Sequence, residues 1–258
     1  MALRLAARHL LEGIYVDYLD RKLRDLPKPK HVAIILDGNR RWAHERDMAV
    51  SRGHRAGGDK VGEVLEWCEQ EGVEIVTLWL LSTDNLVKRE QSELIPLLRT
   101  IERTAEELVR HPKWRIHLVG APELLPESTR SALERAVAAS QSRTGMQVNM
   151  AVAYGGRREV VDAVRALLQE HERLGTPISE LAEQLTDEHI AAHLYTKGQP
   201  DPDLVIRTSG EQRLGGFLLW QSAKSEFWFG DVYWPDFRKV DLLRALRDFS
   251  KRDRRLGG

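Results

Sequence analysis

Apolar and polar positions along this chain fall into two kinds of block. Short apolar runs at Val32 to Leu36, Glu74 to Leu81, Arg115 to Val119, Gln147 to Ala153 and Asp203 to Arg207 have the length of strands buried on both faces. Between them, apolar residues recur every three or four positions, as helices require. Val61, Val64, Leu65 and Cys68 form one such stripe, and Leu94, Leu97, Leu98, Ile101, Ala105 and Leu108 a second over about 92–110. Further helices are predicted over 128–140, from Val160 to Leu168 and over 240–250, with short helical pieces over 178–194. Strands alternating with helices predict an α/β fold, a single open, mostly parallel sheet of about six strands flanked by helices. The segment 1–26 reads as an amphipathic helix with Leu3, Ala7, Leu10, Leu11, Ile14 and Tyr18 on one face, ended by Pro27 and Pro29. That face has two readings: packing on the body or on a second subunit, and peripheral contact with a membrane surface.

Four of the five runs end in polar loops. The first leads into Asp37-Gly38-Asn39-Arg40-Arg41-Trp42, and the second into Ser82-Thr83-Asp84-Asn85. The fourth leads into Tyr154-Gly155-Gly156-Arg157, and the fifth into a Gly-rich loop from Thr208 to Gly216 that carries Arg213. In a parallel sheet these ends emerge on one edge, where open α/β sheets place their ligands. That edge gathers an acid, several arginines and hydroxyl or amide groups, with no cysteine nucleophile, metal-type histidine pair or serine elbow. The set suits a polyanion held by arginine forks and one Mg²⁺, which takes one or two protein carboxylates and completes its shell with phosphate oxygens and water. Asp37 is the first such carboxylate. Glu226, inside the apolar stretch 217–229, is the second, because a carboxylate there needs a partner; a salt bridge to Lys224 or an arginine is its plainer reading. Plainer readings hold elsewhere too: Asp37-Gly38 as a simple turn, and Ser82 to Asn85 as a helix N-cap. A basic segment with Gly53, His54, Gly57 and Gly58 opens the next helix and reads as a phosphate cradle. His54 is either a diphosphate contact or a helix-entry residue.

Charge narrows the field. Lys plus Arg and Asp plus Glu are both 39, so the net charge is zero, which argues against a nucleic-acid partner while allowing a local basic pocket. The lone Cys68 excludes an internal disulfide framework or a cysteine metal cluster. No secretory pattern and no membrane-spanning run are present, so a cytoplasmic location is expected.

These residues carry a resemblance. The sequence resembles the cis-prenyltransferase (undecaprenyl diphosphate synthase) family from His31 to about Phe249, through DGNRRWA at 37–43, GH at 53–54, LSTDN at 81–85, NMAVAYGGR at 149–157, DPDLVIRTSGEQRLGGFLLWQSAKSEFWF at 201–229 and WPDF at 234–237. The resemblance implies a single catalytic domain over 1–258 with an apolar product tunnel, acting as a homodimer. It implies Mg²⁺-dependent condensation of isopentenyl diphosphate with an allylic diphosphate, forming a new cis double bond. Asp37 matches the essential aspartate that handles the allylic diphosphate and Mg²⁺. Gly38, Asn39, Arg40, Arg41 and Trp42 match its substrate-binding turn, and His54 a diphosphate-contacting histidine. Ser82, Thr83 and Asp84 match a substrate-holding segment, with Asn85 the group that assists proton loss. A carboxamide is no ordinary base, so Asn85 is expected to relay through water or a diphosphate oxygen and to orient the substrate. Arg207 and Arg213 match the grip on isopentenyl diphosphate, with Gly215 closing that loop. Glu226 matches a metal-linked glutamate often supplied near the dimer interface.

Several positions depart from the long-chain pattern. Val50 stands where Arg is usual, with Arg52 nearby to compensate. Leu86 replaces the Trp after Asn85, Lys88 occupies the following Arg position with Arg89 beside it, and Gly215 replaces a Ser. Leu80 replaces a small residue beside the product tunnel, with Trp79 pointing the other way along the strand. A Leu there adds several methylenes to a close-packed wall, so the expected product is short: (2Z,6E)-farnesyl diphosphate from geranyl diphosphate and one isopentenyl diphosphate. Short-chain actinobacterial members share the Leu after Asn. The competing expectations are a medium- or long-chain synthase, a non-catalytic partner subunit, and a phospho-ligand hydrolase or kinase, for which no nucleophile or Walker loop is present.

Overall fold

The computed structural model describes residues 2–252, with side chains from 11 onward. Six strands form one sheet in the order β3-β4-β2-β1-β5-β6. They are β1 (His31–Ile35), β2 (Ile75–Ser82), β3 (Arg115–Val119), β4 (Gln147–Tyr154), β5 (Leu204–Arg207) and β6 (Glu226–Phe229), and every neighbouring pair is parallel. The helices are α1 (Ala2–Leu23), α2 (Asn39–His44), α3 (Val50–Gln70), α4 (Thr83–Lys88), α5 (Gln91–Arg110), α6 (Glu127–Ser140), α7 (Gly156–Leu174), α8 (Ile178–Gln184), α9 (Asp187–Ala191) and α10 (Lys239–Ser250). Val32 and Ile34 of β1 enter one core with α3, α5 and α10, while Ala33 and Ile35 enter a second core with Tyr154, Phe217 and Leu218. The sheet is thus buried on both faces, as its continuous apolar runs require.

Strand β6 was not anticipated as a strand. Its four residues are half-exposed or exposed and pair with β5 alone, so they carry no burial alternation to read. The buried face of α1 also differs from the expected stripe. Leu19 and Leu23 are fully buried, with Tyr15 and Val16 packed on the same core, whereas Leu11, Ile14 and Tyr18 are at least half exposed. Leu3, Ala7 and Leu10 lie outside the described side chains. Heptad-like spacing left two adjacent stripes apolar, and packing against α10 selected the second.

Between β2 and β4 the register slips twice. Trp79 pairs with Ala151 and Leu81 with Val152, leaving Leu80 without a partner; Ser82 then pairs with Tyr154, leaving out Ala153. Ala153 takes a left-handed backbone, φ 50°. The two bulges cancel, but between them the in-out alternation breaks. Leu78, Leu80 and Leu81 all join the same core, while Trp79 faces the other way.

Candidate active site

From β1 the chain passes to β2 and on to the edge strand β3, places β4 between them, then returns to the other side of β1 with β5. The order reverses between β1 and β5, and the crevice beyond their carboxyl ends is where such sheets take ligands. Ile35 and Arg207 are register partners, so Asp37, just past β1, meets Arg207 at the end of β5. Arg207 Nη2 donates to Asp37 Oδ2 at 2.8 Å, and the Arg207 side chain is only 7% exposed. Burial works to raise the Asp37 pKa, but the hydrogen bond and charge of Arg207, with Arg41 and Ser209 adding, outweigh it and hold the carboxyl below its ordinary value. Asp37 keeps its main chain in place independently: its N–H donates to Thr208 Oγ1 at 3.0 Å, and its carbonyl accepts from Thr208 Oγ1 at 2.7 Å and Trp234 N at 3.0 Å.

Ion pairs spread outward from Asp37. Arg41 Nη2 lies 3.4 Å from Asp37 Oδ1 and donates to Ser209 Oγ at 2.7 Å, while its Nη1 reaches Glu211 Oε1 at 3.3 Å. Glu211 pairs in turn with Arg213, whose carbonyl accepts from Arg207 Nη1. Ser209 sits in a left-handed backbone, φ 78°, so strain is stored beside these arginines. A second cluster faces the first. Glu93 of α5 forms an ion pair with Arg89 at 2.8 Å, lies 3.0 Å from His54 Nε2 and is 3.9 Å from Arg40. Burial lowers the pKa of His54; Glu93 opposes this and Arg89 and Arg40 reinforce it, leaving the ring neutral near pH 7.

A cleft of about 660 Å³ opens between the clusters, within the usual range for ligand pockets. Asp37, Gly38, Asn39, Arg40, Arg41 and His54 line it, as do Leu80, Ser82, Asn85, Arg207, Arg213 and Gly215. Leu36, Leu80, Leu81 and Leu97 give it an apolar wall on the side of the larger core, while Ile35 and Trp79 line it from the second core, Trp79 beside Gly215.

Other expected site residues do not line the cleft. Lys88 is exposed and pairs with Asp84, also exposed, at 2.8 Å; Arg89, one position on, takes the pocket role instead. Thr83 faces Gly155, where a Cβ would stand 2.6 Å from Thr83 Oγ1. The Trp42 indole donates to Asp236 at 2.8 Å, with Arg46 stacked over the ring, so Trp42 braces α2 against the 234–236 turn. Arg52 is exposed and away from the cleft, so it does not stand in for an arginine at Val50. Glu226 begins β6 level with Leu204, three residues before Arg207, and pairs with Arg252. Within one chain it therefore does not share an ion with Asp37. Nor do Gly53 and Gly57 form a phosphate cradle. They lie inside α3, where a Cβ would meet Asn39 O at 2.1 Å and Asn39 Oδ1 at 2.3 Å, so they let α2 seat directly on α3.

The fourth strand end has a different task from the one expected. The loop after Arg213 carries left-handed backbone at Gly215, Gly216 and Leu218. Tyr154 holds it: Leu218 N donates to Tyr154 Oη at 3.1 Å, and Tyr154 donates onward to buried Glu159 at 2.5 Å. Gly156 N also donates to Gly216 O at 2.9 Å, and Phe217 stacks on Trp79 with centroids 5.1 Å apart. Glu93, Glu211, Ser209 and Tyr154 were not assigned roles from sequence. Glu211 stood inside a recognised motif, two residues from Arg213, but nothing in the sequence pointed from His54 to Glu93, 39 residues away.

Among the described residues, the two ionic clusters lining this cleft hold more arginines than carboxylates and so suit anionic groups, beside an apolar wall of Leu36, Leu80, Leu81 and Leu97, the chemistry of a site for phosphate esters of apolar alcohols. Comparison with known proteins agrees. Residues 35–257 match the family model described as "Putative undecaprenyl diphosphate synthase". The chain is 50% identical over 257 residues to Isoprenyl transferase 1 of Streptomyces avermitilis, covering 100% of both chains. It is 55% identical over 248 residues to (2Z,6E)-farnesyl diphosphate synthase of Thermobifida fusca, covering 96% of this chain and 97% of that one. It is 52% identical over 231 residues to the short-chain Z-isoprenyl diphosphate synthase of Mycobacterium leprae, covering 89% and 88%. The crystal structure of lavandulyl diphosphate synthase from Lavandula x intermedia in complex with dimethylallyl diphosphate superimposes with a TM-score of 0.81 at 35% identity, covering 88% of this chain and 97% of that one. The chain belongs to the cis-prenyltransferase (undecaprenyl diphosphate synthase) family.

Proposed function

We propose that this enzyme condenses isopentenyl diphosphate with geranyl diphosphate, releasing diphosphate and stopping at (2Z,6E)-farnesyl diphosphate. The observation that carries the short product is the bulge at Leu80, which turns a second consecutive leucine into the apolar wall of the cleft. In this reading Arg207 and Arg213 hold the isopentenyl diphosphate, while Arg40, Arg41, Arg89 and His54 hold the allylic diphosphate. Two diphosphates fixed in register bring the nucleophilic double bond onto the allylic carbon as its C–O bond breaks. The arginines neutralise the charge that grows on the leaving group. Asn85, held at the N-terminus of α4 by the Ser82 cap at 3.0 Å, orients the substrate and passes the lost proton to a diphosphate oxygen.

The residues present fit Mg²⁺. Among the described residues no group of three or more His, Cys, Asp or Glu gathers as an all-protein cage, and Mg²⁺ needs only one or two carboxylates beside phosphate and water. Asp37 Oδ1, only loosely engaged by Arg41 at 3.4 Å, is the oxygen that would hold it. When bound, the ion supplies charge neutralisation at the departing diphosphate. A cytoplasmic homodimer belongs to the same reading, with Glu226 on edge strand β6 close to where two copies meet. Among the described residues no helix is long and apolar enough to cross a membrane.

The test is thin-layer or mass analysis of products from labelled isopentenyl diphosphate, geranyl diphosphate and Mg²⁺. A single addition is expected from wild type, and Leu80→Ala is expected to add products of two or more additions. If Leu80→Ala retains wild-type chain length, the bulge does not limit the product. Tyr154→Phe removes the acceptor of Leu218 N–H at a cost of about 1–3 kcal/mol. Steady-state kinetics should show KM for isopentenyl diphosphate rising more than kcat falls, because the loop of Arg213 loosens while the allylic cluster is untouched. An equal effect on the allylic KM would contradict that division of the cleft.

A further inference from the structure

Leu80 and Leu97 line the cleft and pack on the same core as Ile34, Val61, Leu78 and Ile101, which do not line it and are 2% exposed or less. This packed layer lies between the sheet and helices α3 and α5, so the spacing of those two helices decides whether a longer chain finds room. The two helices approach closely at one glycine, one turn inward from the His54–Glu93 contact that also joins them. Gly58 of α3 lies against Thr100 and Thr104 of α5, and a Cβ at Gly58 would stand 2.6 Å from Thr100 Cγ2 and 3.0 Å from Thr104 Oγ1. Both threonines spend their hydroxyls on their own helix, Thr100 on Pro96 O and Thr104 on Thr100 O, each at 2.9 Å. The Thr100 methyl is thereby turned onto Gly58. On the outer side, Arg103 clasps Asp59 at 2.5 Å across the same seam. By contrast Gly62, one turn further along α3, has nothing within 4 Å of where its Cβ would be.

We propose that the Gly58–Thr100–Thr104 seam is a product-length determinant: it draws α3 and α5 together and closes the cleft behind Leu80 and Leu97. The seam acts through helix spacing and touches no substrate, so it is a positioning element. The proposal rests on the short-product reading above. Close-packed interiors yield to an added methyl by displacing the packed elements, and here the displaced elements are the walls of the cleft.

Four variants test it with labelled isopentenyl diphosphate and geranyl diphosphate, read as the fraction of product beyond one addition. Gly58→Ala is expected to raise that fraction at least tenfold while leaving the rate of the first addition within about twofold. Adding Thr100→Ser, which removes the methyl nearest the new Cβ, should return the profile toward wild type. Gly62→Ala changes the same helix in open space and should leave chain length unchanged. Thr100→Leu wedges the seam from the opposite helix and carries the test if Gly58→Ala does not fold by circular dichroism. A folded, active wedge variant with wild-type chain length overturns the proposal, as does equal lengthening by Gly62→Ala. Long products from wild type itself would instead defeat the short-product reading, and this proposal with it.

Discussion

Asp37→Asn is expected to lower kcat/KM by about 10³-fold, the scale seen when one preorganised electrostatic group is removed from an active site. Asn keeps the shape of the side chain and discards its charge. Arg207, nearly buried, and Arg41 then lose their shared counter-ion, and the cleft loses the carboxylate offered to a metal ion. The fold should survive, because the bonds from the Asp37 main chain to Thr208 and Trp234 do not involve the carboxylate. Steady-state kinetics with saturating Mg²⁺, beside a thermal melt, separate the two effects. Activity within tenfold of wild type in the folded variant would remove Asp37 from the chemistry.

Arg207→Met should cost about 10²–10³-fold in kcat/KM on the same grounds and also change the pH profile. In wild type the Asp37 pKa lies below its ordinary value, because Arg207 above all outweighs the effect of burial. The ionised form is the working form, so activity persists as pH falls until that depressed pKa is reached. Without Arg207, burial is opposed only by Arg41 and Ser209, and protonation begins at higher pH. The acid limb of kcat/KM against pH is therefore expected to move upward. An unmoved limb would mean that some other group sets it. Arg207→Lys is expected to fall between Met and wild type, since an ammonium keeps the charge but cannot donate to Asp37 and to the Arg213 carbonyl as a planar fork.

Several neighbouring positions read correctly as types but incorrectly as places. A basic residue was expected just after Asn85, and the structure puts Arg89 into the cleft and turns Lys88 to solvent. Lys88 ends α4 and Arg89 follows in extended backbone before α5, and only the packing of the two helices sets which side chain faces inward. Gly53 and Gly57 read as a phosphate loop because glycine near basic residues serves either purpose; the contact with Asn39 decides for packing. Glu226 read as a metal-linked carboxylate near a dimer interface; within one chain its place at the start of β6, level with Leu204, parts it from Asp37, on a strand that aromatic, half-exposed residues did not announce.

By itself the sequence determined five strands, the longer helices between them, the polar loops at one edge and the gathering of an acid with arginines there, while α2 and α4 read as loop. These follow from local rules: which faces are apolar, where the chain turns, and that parallel strands present like ends together. Tertiary structure alone decided that β1 and β5 are neighbours, that a bulge at Leu80 turns Leu81 onto the same core, and that Glu93 gathers His54, Arg89 and Arg40. Each of these depends on the register between segments far apart in the chain, where a shift of one residue reverses the facing of a side chain, and no local pattern records that shift.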